Sequence, residues 1–182
     1  MNAKPDFFQI FKRASEEKWR TSSIRQDIWG FQFQPGTRWN SGLSEEGIAQ
    51  YEAAVDAKFP PDFRRFLREM NGTDMPTLDI RGASGEPHRR GLGFYSFPAD
   101  LERVKQIIDE VERDRIQLCA TLSDEGFELA GDARLVPIFA HRSVVCDPAT
   151  GGSVVLSIHD ATDAIVYGGS LEDYLVREIF NR

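Results

Sequence analysis

The feature that most constrains this chain is a change of hydrophobic period. Through much of the first two thirds, apolar residues recur every three or four positions, as on helices. In the last third they gather into short β-branched or aromatic runs: Leu135-Val-Pro-Ile-Phe-Ala, Ser143-Val-Val-Cys, Ser153-Val-Val-Leu-Ser-Ile-His and Ala164-Ile-Val-Tyr. Turn residues such as Asp147-Pro-Ala-Thr-Gly-Gly and Asp160-Ala-Thr-Asp separate the runs, a spacing that suits an antiparallel meander. Ser170 then caps a terminal helix with Leu171, Tyr174, Leu175 and Ile179 on its apolar side. Helices first, strands next and a helix last predict an α+β fold. It has a largely antiparallel sheet of about four to six strands, helices packed on one face and a closing C-terminal helix.

The helical part carries its own punctuation. Phe7, Ile10 and Phe11 share a face within residues 6–19, and an aromatic-rich arm follows over 20–40 with Trp29, Phe31, Phe33 and Trp39. These rings are expected to pack on the core rather than to stack on bases. Leu43-Ser-Glu-Glu-Gly-Ile opens the next helix: Ser44 is the N-cap, two acids face the dipole and Leu43 can staple onto Ile48. Phe59-Pro-Pro ends it, and a helix starting at Pro61 sets Phe63, Phe66, Leu67 and Met70 on one face and Arg64, Arg65 and Arg68 on the other. Asn71-Gly72 is expected to stop it. Five Gly and three Pro between Asn71 and Ala99 predict loops around short strands near 77–80 and 92–97, with His88, Arg89 and Arg90 on a loop. Asp100 is then expected to cap a helix bearing Leu101, Val104, Ile108 and Val111. No repeat or long linker divides the chain, so residues 1–182 are expected to form one domain, with 1–42 as its N-terminal helix and arm.

A chain of 182 residues can bury a core without disulfides, and Cys119 and Cys146, its only two cysteines, read as small core residues. No apolar run is long enough to span a membrane and the start lacks a signal peptide's apolar segment, so a cytoplasmic protein is expected. With 22 Lys and Arg against 29 Asp and Glu, the net charge of −7 argues against direct binding of nucleic acid through its phosphates. Residues 123–132 hold Asp124, Glu125, Glu128 and Asp132 without a basic residue, and residues 143–176 hold Asp147, Asp160, Asp163, Glu172 and Asp173 likewise. Such stretches serve either as a solvated face or as a docking surface for a basic partner.

The sequence contains no phosphate loop, dinucleotide fingerprint, nucleophile elbow or helical His pair. One constellation has metal-ligand types: His141, Cys146, Asp147, His159, Asp160 and Asp163. Its spacing fits no established motif, and His159 and Asp160 point to opposite faces of a regular strand. No metal, cofactor or catalytic residue is therefore expected.

Two blocks carry a family resemblance. Leu43-Ser-Glu-Glu-Gly-Ile, Glu52, Phe59-Pro-Pro-Asp-Phe, Phe66-Leu67 and Asn71-Gly72 resemble the opening of the SUKH superfamily, the Smi/Knr-type domain. Leu135-Val-Pro-Ile-Phe-Ala, Asp147, Val154-Val155, Asp163-Ala-Ile-Val-Tyr and Ser170-Leu-Glu-Asp-Tyr-Leu resemble its close. The resemblance implies a non-enzymatic binding domain; bacterial members typically act as immunity proteins that neutralise toxins, many of them nucleases. A basic nuclease would meet an acidic inhibitor through Asp124, Glu125, Glu128, Asp147, Asp160 and Asp163, with Trp29 or Trp39 as an aromatic anchor. A regulatory or scaffold module and a small enzyme using the His141 and His159 region are the alternatives.

Overall fold

The structure, a computed structural model, describes residues 6–81, 89–91, 93–149 and 151–181. Helix α1 (Phe7–Thr21) leads into strands β1 (Gly30–Gln32) and β2 (Trp39–Ser41), then helices α2 (Glu45–Ala54) and α3 (Pro61–Glu69). Strands β3 (Met70–Thr73), β4 (Leu78–Ile80) and β5 (Arg89–Arg90) precede helices α4 (Leu101–Arg113) and α5 (Arg115–Asp124). The meander β6 (Arg134–Phe139), β7 (Arg142–Cys146), β8 (Val155–Asp160) and β9 (Asp163–Gly168) follows, and α6 (Leu171–Phe180) closes the chain. The meander is a four-stranded antiparallel sheet in sequence order; β1-β4-β5 and β2-β3 form two smaller antiparallel sheets. The α+β class and the closing helix are as expected.

Local chemistry accounts for several boundaries. The Ser44 hydroxyl accepts from the Gly47 amide at 3.1 Å and the Ser170 hydroxyl from the Asp173 amide at 3.1 Å, so both expected caps form. Asn71-Gly72, by contrast, does not cap α3. Met70 is already extended, and residues 70–73 pair with β2. The Asn71 side chain instead bridges the Phe97 backbone, donating to its carbonyl at 2.7 Å and accepting from its amide at 2.8 Å. Gly72 has φ +74, and a Cβ there would lie 2.1 Å from the Ser96 hydroxyl, so the residue is fixed by the close passage of that segment. Asp100 precedes α4 but turns its carboxylate to the Ser96 amide at 2.7 Å rather than to the helix. Near 92–97, the only pairing among the described residues is a bridge from Phe94 to Phe139. Arg89 and Arg90 form a strand instead of a loop, while His88 lies outside the described residues.

Helices were expected on one face of the sheet, and they occupy both. Val136, Val144 and Val155, cross-strand neighbours, join the main cluster with α1, α2, α3 and α6. Leu135, Val145, Leu156 and Ala164 point the other way and meet Leu118 and Leu122 of α5. That helix was not expected from the sequence. The main cluster is built of rings: Trp19 stacks on Phe33 at 4.7 Å, Phe94 on Phe139 at 4.9 Å, and Trp39 meets Phe94 at 4.7 Å. The arm's Phe31, Phe33 and Trp39 thus pack as expected, whereas Trp29 is 68% exposed.

A hub of arginines on the outer side of α3 ties the helices together. Arg64 reaches Glu45 at 2.8 Å and the buried Glu52 at 2.7 Å, and Arg65 reaches Asp6 at 2.8 Å and Glu172 at 3.3 Å. Glu52 also accepts from the Phe59 amide at 2.8 Å, so this acid of the resembled motif serves the fold, holding α2, the proline break and α3 in one arrangement.

Candidate functional site

Two features converge at one end of the four-stranded sheet, where the β6–β7 and β8–β9 turns lie side by side. Ile158 donates to the His141 carbonyl at 2.8 Å, which fixes the first turn against β8. The imidazoles of His141 and His159 come together with ring centres 3.7 Å apart. His159 and Asp160 were expected on opposite faces. The register shifts between Ile158 and Asp160, and this irregularity lets both residues border the same cleft.

That cleft, of about 460 Å³, lies between α4, the start of α5 and the sheet. Phe31, Ile107, Val111, Leu118 and Ile158 make its apolar floor, and Arg103, Glu110, Arg113 and Asp114 stand around it with the two histidines. Tyr95 forms one wall, donating from its hydroxyl to the Ala140 carbonyl at 3.1 Å; burial pushes the phenol up to about 12. Among the described lining residues there is no Ser, Thr or Cys to act as a nucleophile. Cys119 is half-buried away from the cleft, and Cys146 is buried in the main cluster with its thiol pushed far up by burial. No group of three or more His, Cys, Asp or Glu able to hold a metal occurs among the described residues.

The second feature is charge. Thr121 of α5 donates to the Ala161 carbonyl at 2.7 Å, fastening the C-terminal half of α5 to the β8–β9 turn. Acids far apart in sequence are thereby gathered at one end of the molecule: Asp124 and Glu125 at the end of α5, Glu128 just beyond, and Asp160 and Asp163 on the turn. All five are exposed, and none enters an ion pair with Lys or Arg among the described residues. Asp160 has a structural duty as well: one oxygen accepts from the Thr162 amide and hydroxyl, both at 2.7 Å, and from the Asp163 amide at 3.1 Å. These bonds hold its carboxyl below the usual range.

Two of the expected partner-binding residues do not join this surface. Asp147 follows β7 at the opposite end, about 16 Å along the strand from Arg142 at ~3.3 Å per residue, and its carboxylate caps the Ala149 amide at 2.8 Å. Trp39 is only 5% exposed and donates from its indole to the Ser15 hydroxyl at 2.8 Å, so it is a core residue and not an available anchor. Sequence reasoning missed Arg103, Ile107 and Tyr95 as companions of the histidines. A signal was present for α4 alone, since Arg103, Ile107, Glu110 and Val111 share one helical face.

Among the described residues no helix is long and apolar enough to cross a membrane. Neither a scan against protein-family models nor a search of curated proteins gave a match for this sequence.

Proposed function

We propose that this chain is a non-enzymatic binding protein of the SUKH type that neutralises a basic, nuclease-type toxin by covering its nucleic-acid cleft. The observation that carries the reading is the joining of α5 to the β8–β9 turn through Thr121 and Ala161, which makes one exposed acidic end out of two separate stretches. A nuclease must be basic where it holds phosphates, and a concentrated acidic surface both attracts such a cleft at a distance and matches it on contact. Asp124, Glu125 and Asp163 stand exposed for this part, Glu128 beside them accepts from the Ser123 hydroxyl at 2.6 Å, and Asp160 shapes the turn that presents them. The test is association with a basic nuclease-type toxin, taken from an adjacent reading frame where one encodes such a module. Reversing Asp124, Glu125 and Asp163 to Lys should slow association and flatten its salt dependence while the far-ultraviolet spectrum stays unchanged. Wild-type rates in the triple variant would reject the acidic-surface mechanism, and an absence of binding by the wild-type chain would reject the function.

The histidine-lined cleft favours a second reading, a small enzyme in which His159 exchanges protons with a substrate held over the apolar floor. That reading requires His159→Ala to abolish a turnover that wild-type protein displays, with ligand binding in the cleft retained.

A further inference from the structure

We propose that the cleft beside α4 is a binding site for a small planar aromatic anion, its ring against the His141 and His159 pair and its charge at Arg103. The inference is separate from the toxin reading, with which it shares only Asp160, a residue that lines the cleft and shapes the acidic turn. A volume of about 460 Å³ falls in the range of small-molecule sites. Its floor of Phe31, Ile107, Leu118 and Ile158 gives an apolar surface for a ring, and the histidines, 3.7 Å apart with Phe31 6.3 Å from His141, add an aromatic wall.

Charge is unequal along the cleft. Arg103 lines the cleft together with Tyr95, and it takes part in none of the ion pairs among the described residues. Its fork of donors suits a carboxylate or sulfonate. The acids of the lining are placed elsewhere. Glu110 lies seven residues further along α4, about 10 Å away along the axis, and Glu110 and Asp114 flank Arg113. Asp160 spends an oxygen on three donors of its own turn. Among the described residues, the charged groups around the histidines are thus Arg103 at one end, Glu110, Arg113 and Asp114 at the other, and Asp160 beside His159.

Three naphthalenes of one shape separate ring from charge: 2-naphthoate, 2-naphthalenemethanol and 2-naphthylmethylammonium. Each is titrated into the full chain while the imidazole C–H proton signals of His141 and His159 are followed by NMR. The expected result is that naphthoate binds about tenfold more tightly than the alcohol, as for one charge-assisted pair, and the ammonium most weakly. Arg103→Gln, a change at an exposed position, should reduce naphthoate to the affinity of the alcohol. Ile107→Trp, which fills the floor, should remove all three. Equal binding of the three compounds, tighter binding of the ammonium, full naphthoate affinity in Arg103→Gln, or no movement of either histidine signal would each overturn the proposal.

Discussion

On one face of the four-stranded sheet, Val136, Val144 and Val155 meet a wall of rings supplied by helices α1, α3 and α6 and the aromatic arm. On the other, Leu135, Val145 and Leu156 meet Leu118 and Leu122 of the short helix α5, with Val111 of α4 and Phe127 and Leu129 of the following loop packed beside them. The rim bonds differ in the same sense. Around α3 run the ion pairs of Arg64, Arg65 and Arg68 with four acids of three other segments. Helix α5 is held by Thr121 to Ala161 and by Arg115, which reaches Glu112 at 2.7 Å and the Ala130 and Ala133 carbonyls at 2.9 Å each. The thick face is redundant scaffolding, and the thin face carries both the histidine cleft and the acidic end. Binding surfaces drawn from the less stable part of a molecule are a general pattern, since adjustment on binding needs elements that open at low cost.

The comparison yields a graded set of outcomes, beginning with the core of the thick face. Phe66, 2% exposed and touching Phe8, Trp39, Phe63 and Phe94, should cost about 3–5 kcal/mol when truncated to Ala. Urea denaturation reads this directly, and a loss below about 1 kcal/mol would remove Phe66 from the structural core. Leu122, fully buried on the thin face, should cost less when changed to Ala, about 2–3 kcal/mol, because a single helix can settle into the space. A larger loss for Leu122→Ala than for Phe66→Ala would invert the ranking of the two faces.

The thick face was also the one legible in the sequence. Its helices announce themselves by spacing and caps: Ser44, Pro61 and Ser170 mark starts, and Phe63, Phe66 and Leu67 repeat at helical intervals. The meander was readable because each strand is a short β-branched run closed by turn residues. Helix α5 was not, because Leu118 and Leu122 are its only buried residues and Ile116, on the same helix, is 91% exposed, leaving no clear apolar stripe. The candidate site was half visible. Residue type pointed to His141 and His159, but their close approach depends on a β-irregularity after Ile158, and the partners Tyr95 and Arg103 arrive from another part of the chain. Gathering the acids likewise needed the fastening of α5 to a turn, which no pattern in either segment encodes. Asp147 and Trp39 were placed with them on charge and residue type alone; topology sends one to the far end of the sheet and packing takes the other into the core.

A smaller effect isolates that fastening. Thr121→Val keeps the side-chain shape and removes the bond to the Ala161 carbonyl, so it should cost about 1 kcal/mol, the net worth of one hydrogen bond. The more telling readout is local: amide exchange at Thr162 and Asp163 should accelerate while that of β7 does not. Unchanged exchange at the turn would show that α5 and the acidic end are coupled by packing rather than by this bond.

The smallest expected effect belongs to the rim of the thick face and depends on pH. Glu45, at the start of α2, accepts from Arg68 and Arg64, and these two guanidinium groups hold its carboxyl down at about 2. In an unfolded chain the same group titrates at about 4.3. A carboxyl lowered on folding contributes stability above the unfolded value and loses that contribution as pH falls towards the folded one. Wild type should therefore exceed Glu45→Gln slightly at pH 6, and the gap should narrow between about pH 4.3 and about pH 2. Because the carboxyl is exposed, high salt should also narrow the gap at pH 6. Paired urea titrations at the two pH values measure this, with amide exchange showing whether the loss falls on α2 and α3 or on α5. A gap that persists undiminished at pH 2 would assign Glu45's role to packing. Acid-induced opening that begins at α5 in both proteins would show that the thin face yields first even when the charges of the thick face are removed, which is the order its sparser contacts imply.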